Sequence, residues 1–157
     1  MDIIGKSTIH PVLFYTGKIA GYITWILLIL AAAGMPVLDN SPSTLQIISS
    51  GITSLIAMLL ITTSAIGLGK STRLGLPKED TVLKTTGIYR FSRNPMYLGF
   101  NLLTLTSMIY FFNFLILGLG LYSIIIYHFI ILGEERFLKK RFGEDFAKYR
   151  KSTGRYF

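Results

Sequence analysis

Three long stretches of this 157-residue chain contain no charged residue, and they constrain the fold more than any other feature. They cover residues 19–38, 40–69 and 94–133. A helix needs about 20 predominantly apolar residues to cross the hydrocarbon core of a bilayer. Only 15% of the residues are charged, against roughly 25% in a typical soluble domain. The sequence therefore predicts an integral membrane protein of the all-α class.

The last uncharged stretch is too long for a single span. Residues 94–133 would form a helix of about 60 Å, roughly twice the thickness of the hydrocarbon core. We expect a turn near Asn113, an isolated amide in "YFFNFL" beside aromatic residues that favour the membrane interface. The prediction is a single domain, residues 1–157, whose last two spans form a tight hairpin. The four predicted spans are residues 14–34, 45–69, 95–112 and 114–133.

The basic residues predict the orientation of these spans. Fourteen of the sixteen basic residues lie in two segments, residues 70–94 and the tail 134–157, whereas the first loop between spans carries only Asp39. The positive-inside rule places both segments and both termini in the cytosol. The membrane would be the cell membrane in a prokaryote and the endoplasmic reticulum in a eukaryote. The net charge of +8 then favours contact with anionic membrane lipids. No nucleic-acid partner is predicted, because no nucleic-acid-binding motif accompanies these charges.

The tail has a different pattern from the spans. Leu138, Phe142, Phe146 and Tyr149 recur at helical spacing with lysine and arginine between them. This pattern predicts an amphipathic cytosolic helix, interrupted at Gly143. Such a helix would either lie on the lipid surface or form a lid over a cytosolic site. The chain has no cysteine and only two histidines, so no metal site is predicted.

The motif "GIYRFSRNPMYLG" combines a basic boundary with a possible anion site. Pro95 suits the first turn of a helix, and free N–H groups at a helix N-terminus favour an anion. Arg93 beside them can hold a carboxylate or phosphate, and Tyr89 and Tyr97 offer aromatic faces to a cation or a purine. Asn94 completes this cluster. The alternative interpretation is an ordinary basic membrane boundary.

Two acidic residues, Glu134 and Glu135, directly follow the last span. Carboxylates at a helix C-terminal end oppose the helix dipole, which suggests a function such as binding ribose hydroxyls or an ammonium group. The alternative is a solvated salt bridge from Glu135 to Lys139. Because the hairpin returns the chain to its starting side, we expect Arg93 and Glu134 to meet.

The two motifs together resemble the isoprenylcysteine carboxyl methyltransferase and phospholipid methyltransferase superfamily. That family's pattern is G-x-Y-x-x-x-R-H-P-x-Y-x-G, an apolar hairpin, and then E-E-x-x-L-x-x-x-F-G-x-x-Y-x-x-Y. The resemblance covers residues 80–155. The matching positions are Gly87, Tyr89, Arg93, Pro95, Tyr97, Gly99, Glu134, Glu135, Leu138, Phe142, Gly143 and Tyr149.

The resemblance implies an integral membrane methyltransferase that uses S-adenosylmethionine and accepts a lipid-like or prenylated substrate from the bilayer. By position, it assigns catalytic roles to Arg93 and Glu134. It also implies cofactor contacts from the loop between Thr81 and Lys84. The residues implied to bind the cofactor are Lys84, Tyr89, Asn94, Pro95, Met96, Tyr97, Glu134 and Glu135.

The chain departs from the family pattern at a few positions. Asn94 replaces the usual histidine, and it can donate a hydrogen bond but cannot titrate near neutral pH. Ile130 stands where the prenyl-protein enzymes have an arginine. Two other interpretations are a membrane sterol or enone reductase that uses NADPH, and a non-catalytic protein on the same scaffold. The sequence indicates neither the acceptor nor the oligomeric state.

Overall fold

The computed structural model describes residues 9–69 and 82–157. It contains four α-helices: α1 (Pro11–Ala32), α2 (Thr44–Leu68), α3 (Pro95–Phe111) and α4 (Phe114–Ser152). A short 3-10 helix, Gly87–Arg90, precedes α3. The described residues include no β-strand, so the all-α prediction is confirmed. Helices α1, α2 and α4 are long and apolar enough to cross a membrane. Helix α3 has 17 residues, a length of about 26 Å.

Local signals in the sequence account for the helix ends. Helix α2 starts with a capping box, in which the Ser43 side chain accepts from the backbone N of Gln46 and the Gln46 side chain accepts in return. The predicted turn of the hairpin is confirmed. Phe112 adopts a left-handed conformation with φ of 42°. Asn113 then caps α4 by accepting a 2.8 Å hydrogen bond from the backbone N of Leu115.

The tail helix continues directly from the last span. Helix α4 runs past Gly133 to Ser152 without a break at the glutamates. Its backbone is non-helical only at Gly143, where φ is 49° and ψ is −116°. The predicted interruption at Gly143 is therefore confirmed, and it is a kink within one long helix. Glycine suits this position because it adopts positive φ at little steric cost.

The helices pack as two close pairs that are joined through α3 and α4. Helix α2 lies along α3, and α1 lies along α4. Glycines allow both close approaches. A Cβ atom at Gly17 would overlap the Ile126 side chain, and one at Gly99 would lie 3.0 Å from the Ala57 carbonyl of α2. Small residues serve the same purpose in membrane helix pairs generally.

Hydrogen bonds between helices join the two pairs within the apolar region. Trp25 Nε1 of α1 donates to Thr104 Oγ1 of α3 at 2.8 Å, and Ser107 Oγ of α3 donates to the Thr24 carbonyl at 3.0 Å. Thr106 Oγ1 donates to Thr53 Oγ1 of α2 at 2.8 Å. Helix α3 is thus bonded to both α1 and α2.

Candidate functional site

The segment before α3 is joined to the segment after α4. Ser92 Oγ donates to the Arg155 carbonyl at 3.2 Å, and the backbone N of Arg93 donates to the Gly154 carbonyl at 3.0 Å. Arg93 Nη1 also donates to the Thr153 carbonyl. These bonds form because the hairpin brings both segments to the same end of the helix bundle. Residues 152–155 therefore cover the start of α3.

A buried ionic cluster of Arg93, Glu135 and Arg155 lies under this segment. Arg93 Nη2 and Nε donate to Glu135 Oε1 at 2.8 and 3.1 Å. Arg155 Nη2 and Nε donate to Glu135 Oε2 at 2.9 and 3.1 Å. The side chains of Arg93 and Glu135 are only 7% and 10% exposed, whereas that of Arg155 is 30% exposed. Hydrogen bonding to Glu135 raises the pKa of Arg155 above its usual value. One carboxylate thus pairs with two guanidinium groups, which leaves a net charge of +1 on the cluster.

Asn94 supports the same cluster through its amide. Its Nδ2 donates to the Arg155 carbonyl at 3.2 Å and lies 3.5 Å from Glu135 Oε1. Its backbone N donates to Ser92 Oγ at 3.1 Å. Each of these contacts uses an N–H donor and needs no titration. The amide therefore makes a structural contribution here that is independent of pH.

Glu134 makes different contacts from Glu135, and this corrects the expectation that it meets Arg93. Tyr97 Oη donates to Glu134 Oε1 at 2.5 Å, and the charge of Lys18 on α1 interacts favourably with the same carboxylate. Adjacent residues on a helix point in directions about 100° apart. Glu135 consequently faces Arg93, while Glu134 faces Tyr97 and α1. The alternative pairing of Glu135 with Lys139 is not the arrangement that the structure shows, because both Glu135 oxygens bond to arginines.

Tyr89 is held by the tail helix. Tyr149 Oη donates to the Tyr89 carbonyl at 2.6 Å, and Tyr89 Oη donates to the Ser64 carbonyl of α2 at 3.4 Å. Burial raises the pKa of the Tyr89 phenol well above its usual value, so the phenol stays a neutral donor. The ring of Tyr97 packs against Phe100 and Tyr127.

A cleft of about 1030 Å³ opens between the loop at residues 82–85 and the end of α4. It is lined by Arg90 from the 3-10 helix and by Phe142, Asp145, Lys148 and Tyr149 from α4. Ser152 and Thr153 complete the wall. The Thr153 carbonyl is the one that Arg93 holds, so the ionic cluster lies directly behind the cleft.

None of the predicted cofactor residues lines this cleft, although some adjoin residues that do. Lys84 is half-buried between Leu83 and Thr85, two lining residues. Tyr89 adjoins Arg90 and bonds to Tyr149, whereas Pro95 is buried and Met96 half-buried in the first turn of α3. Thr81 lies outside the described residues. The roles assigned to these residues by resemblance stay predictions.

Comparison with known families identifies the chain at this point. The model of the phospholipid methyltransferase family matches residues 45–145, which is more than half of the chain. The chain belongs to the phospholipid methyltransferase family. A search of curated protein sequences finds no significant match.

The family match covers part of the site. It includes Arg93, Asn94, Glu134 and Glu135, together with helices α2 and α3 and most of α4. Arg155 lies outside it, although Arg155 supplies two of the five hydrogen bonds to Glu135. The ionic cluster is thus completed by a residue that lies outside the matched region.

Sequence reasoning missed several residues that the structure brings to the site. Lys18 is a single lysine in an apolar span and therefore carries no spacing signal. Arg155 follows the end of the helix, where periodicity gives no information. The cleft residues Asp145, Lys148 and Tyr149 had a usable signal, since positions 142, 145 and 149 share one face of a helix.

Proposed function

We propose that this chain transfers a methyl group from S-adenosylmethionine to a lipid-like acceptor at the cytosolic face of the membrane. The observation that carries the proposal is the buried ion pair between Arg93 and Glu135, which joins the two halves of the motif directly behind the cleft. Membership of the phospholipid methyltransferase family supports methyl transfer. The long apolar helices support an acceptor, phospholipid or prenylated, that arrives through the bilayer.

The residues of the cleft fit S-adenosylmethionine. Arg90 and Lys148 can bind a carboxylate, Asp145 can bind an ammonium group or ribose hydroxyls, and Phe142 and Tyr149 offer aromatic faces. The cleft volume of about 1030 Å³ lies at the upper end of the range for small-molecule sites, about 300–1,000 Å³. When bound, S-adenosylmethionine supplies an electrophilic methyl group on a sulfonium.

Arg93 and Glu135 act as positioning residues in this proposal. The Arg93 guanidinium is 7% exposed and already bonded to Glu135 and to the Thr153 carbonyl, so it holds the wall of the cleft. This differs from a direct contact of Arg93 with the donor or acceptor. Of the two adjacent glutamates, Glu134 is the one that does not bond to the arginines. It is half-buried and accepts a hydrogen bond from Tyr97.

A methyl transfer from a sulfonium depends mainly on placing the two reactants in line and excluding water. A cleft wall that is held in place by hydrogen bonds suits this requirement. Four hydrogen bonds join residues 92–94 to the backbone carbonyls of residues 153–155. Ser92 and Asn94 donate one each, and Arg93 donates two. A carboxylate acceptor needs no base, whereas an acceptor that arrives as an ammonium group must first lose a proton to a base before its nitrogen can attack.

Equilibrium binding of S-adenosylmethionine to the purified full chain tests the proposal. We expect Asp145→Asn to weaken binding by roughly 10- to 150-fold, the equivalent of about 1.5–3 kcal/mol, because a charged hydrogen bond is lost. Tyr149→Leu should weaken binding through the loss of an aromatic face. Glu144→Gln is the matched control, because Glu144 is exposed on the same helix and does not line the cleft. Binding of NADPH in place of S-adenosylmethionine, or equal effects of Asp145→Asn and Glu144→Gln, contradicts the proposal.

A further inference from the structure

Lys18 is a buried cation on the one helix that lies wholly outside the family match. It belongs to α1, whose other residues are all uncharged, and it is only 9% exposed. The match begins at residue 45, after the end of α1. A charged residue within a membrane span is unfavourable to bury, and such residues generally have a partner and a function. The partner of Lys18 therefore has to be identified.

Helices α1 and α4 run in opposite directions where they touch. A Cβ atom at Gly17 would overlap the Ile126 side chain, and one at Gly21 would lie 2.6 Å from Ser123 Oγ. Higher residue numbers on α1 therefore correspond to lower residue numbers on α4. The first turns of α1 consequently lie beside the part of α4 that leads to Glu134.

The Lys18 side chain extends in that direction. Its Nζ atom lies 4.1 Å from the centroid of the Phe14 ring, one turn closer to the start of α1. Long side chains on a helix lean towards its N-terminus, and a lysine can carry its charge along an apolar surface. The ammonium comes close enough to Glu134 for the two charges to attract each other. The Phe14 ring also favours the charged lysine, because an aromatic face attracts a cation.

Glu134 has few neighbours that favour its negative charge. Tyr97 Oη of α3 donates to its Oε1 atom at 2.5 Å, and Lys18 attracts it from α1. The Tyr89 phenol is also close enough for the Glu134 charge to act on it, but phenols are neutral near pH 7. The two arginines of the ionic cluster pair with Glu135. A half-buried carboxylate without a counter-charge favours its protonated form, so the charge of Glu134 depends on Lys18.

We propose that Lys18 is a positioning residue of this site, whose ammonium keeps Glu134 ionised and turned towards Tyr97. Helix α1, which lies outside the matched region, thus completes the site. An ionised carboxylate can bind a cationic group of a reactant, whereas its protonated form binds one weakly. The consequence for turnover rests on the proposed methyl transfer, but the charge of Glu134 can be measured without it.

Infrared spectroscopy measures the charge of Glu134 directly. The full chain is purified in a maltoside detergent, which has no carbonyl group, and spectra are recorded at neutral pH. A protonated carboxyl group has a C=O stretching band that a carboxylate lacks. We expect this band to appear in Lys18→Met and in Lys18→Gln, and to be absent from Lys18→Arg, which keeps the charge. Its loss when Glu134→Gln is added to Lys18→Met assigns the band to Glu134.

Methyl transfer by the same variants tests the positioning role. Turnover of Lys18→Met relative to the wild type should fall by the same factor as the ionised fraction of Glu134, and Lys18→Arg should restore it. Ile19→Met is the matched control, because it introduces the same side chain at the next residue of α1, which is 54% exposed. It should change neither the spectrum nor the turnover.

The outcomes separate this inference from the proposed function. A wild-type spectrum in folded Lys18→Met or Lys18→Gln overturns the inference, and so does a Glu134 band without loss of turnover. Equal loss of turnover in Lys18→Met and Lys18→Arg would show a packing role and also overturn it. A Glu134 band in the lysine variants of a protein whose wild type transfers no methyl group supports Lys18 as the counter-charge and contradicts the proposed function alone.

Discussion

Replacing Arg93 with lysine should release the segment that covers the start of α3. Arg93 donates twice to Glu135 Oε1 and, through Nη1, to the Thr153 carbonyl. Lysine keeps the positive charge but has a single nitrogen, which cannot reach both partners as the planar guanidinium does. If the lysine ammonium bonds to Glu135, the Thr153 carbonyl loses its charged donor. The loss is about 1.5–3 kcal/mol, with little solvent screening at a side chain that is 7% exposed.

This free energy corresponds to a roughly 10- to 150-fold increase in the opening of residues 152–155. Hydrogen exchange followed by mass spectrometry measures that opening, because the backbone N of Arg93 bonds to the Gly154 carbonyl and that of Thr153 to the Tyr149 carbonyl. Methyl transfer should fall in parallel, since Ser152 and Thr153 line the cleft. Arg150→Lys is the control, because it makes the same change at an exposed residue. Hydrogen exchange of residues 152–155 at the wild-type rate in the Arg93→Lys variant would refute the reasoning.

Three further predictions follow from the same arrangement. Tyr97→Phe removes the donor to Glu134 and should lower the free energy of unfolding by about 1.5–3 kcal/mol; an unchanged melting temperature would show that this hydrogen bond contributes nothing. In intact cells, a cysteine at Ser152 should be shielded from an impermeant thiol reagent while one at Asn40 reacts, because the basic segments are predicted to be cytosolic; labelling at Ser152 would contradict the four-span topology. Methyl transfer should require an acceptor with a long apolar chain, and equal turnover of its soluble head-group analogue would argue against entry from the bilayer.

The fold was predictable from the sequence because bilayer thickness restricts it. The ends of most helices lie within a few residues of the bounds that the uncharged stretches predict. Helix α2, for example, covers Thr44–Leu68, and the predicted span was 45–69. The length of residues 94–133 requires a turn, since they cannot form one span, and the isolated amide of Asn113 beside aromatic residues indicates its position. Gly143 was recognised because glycine between periodic apolar residues is typical of a break in a helix.

The pairing within the site was predictable only in part. Hairpin geometry brings Arg93 to the end of the last span, but it does not determine which of two adjacent glutamates faces it. That choice depends on the rotation of α4, which packing against α1 and α3 sets. The contribution of Arg155 could not be predicted for a related reason. It follows the helix end, and its position comes from backbone hydrogen bonds to residues 92–94 that leave no periodic signal.

Transfer of a radiolabelled methyl group tests the central claim most directly. The full chain in phosphatidylcholine nanodiscs with phosphatidylethanolamine is incubated with S-adenosylmethionine labelled in its methyl group, and the lipid is extracted into organic solvent. The structure and the family membership predict label in the lipid fraction that increases with time and protein, and that falls with Asp145→Asn but not with Glu144→Gln. Lipid label no higher than with heat-denatured protein, from a chain that binds neither the donor nor the lipid, would contradict the assignment of this site to methyl transfer.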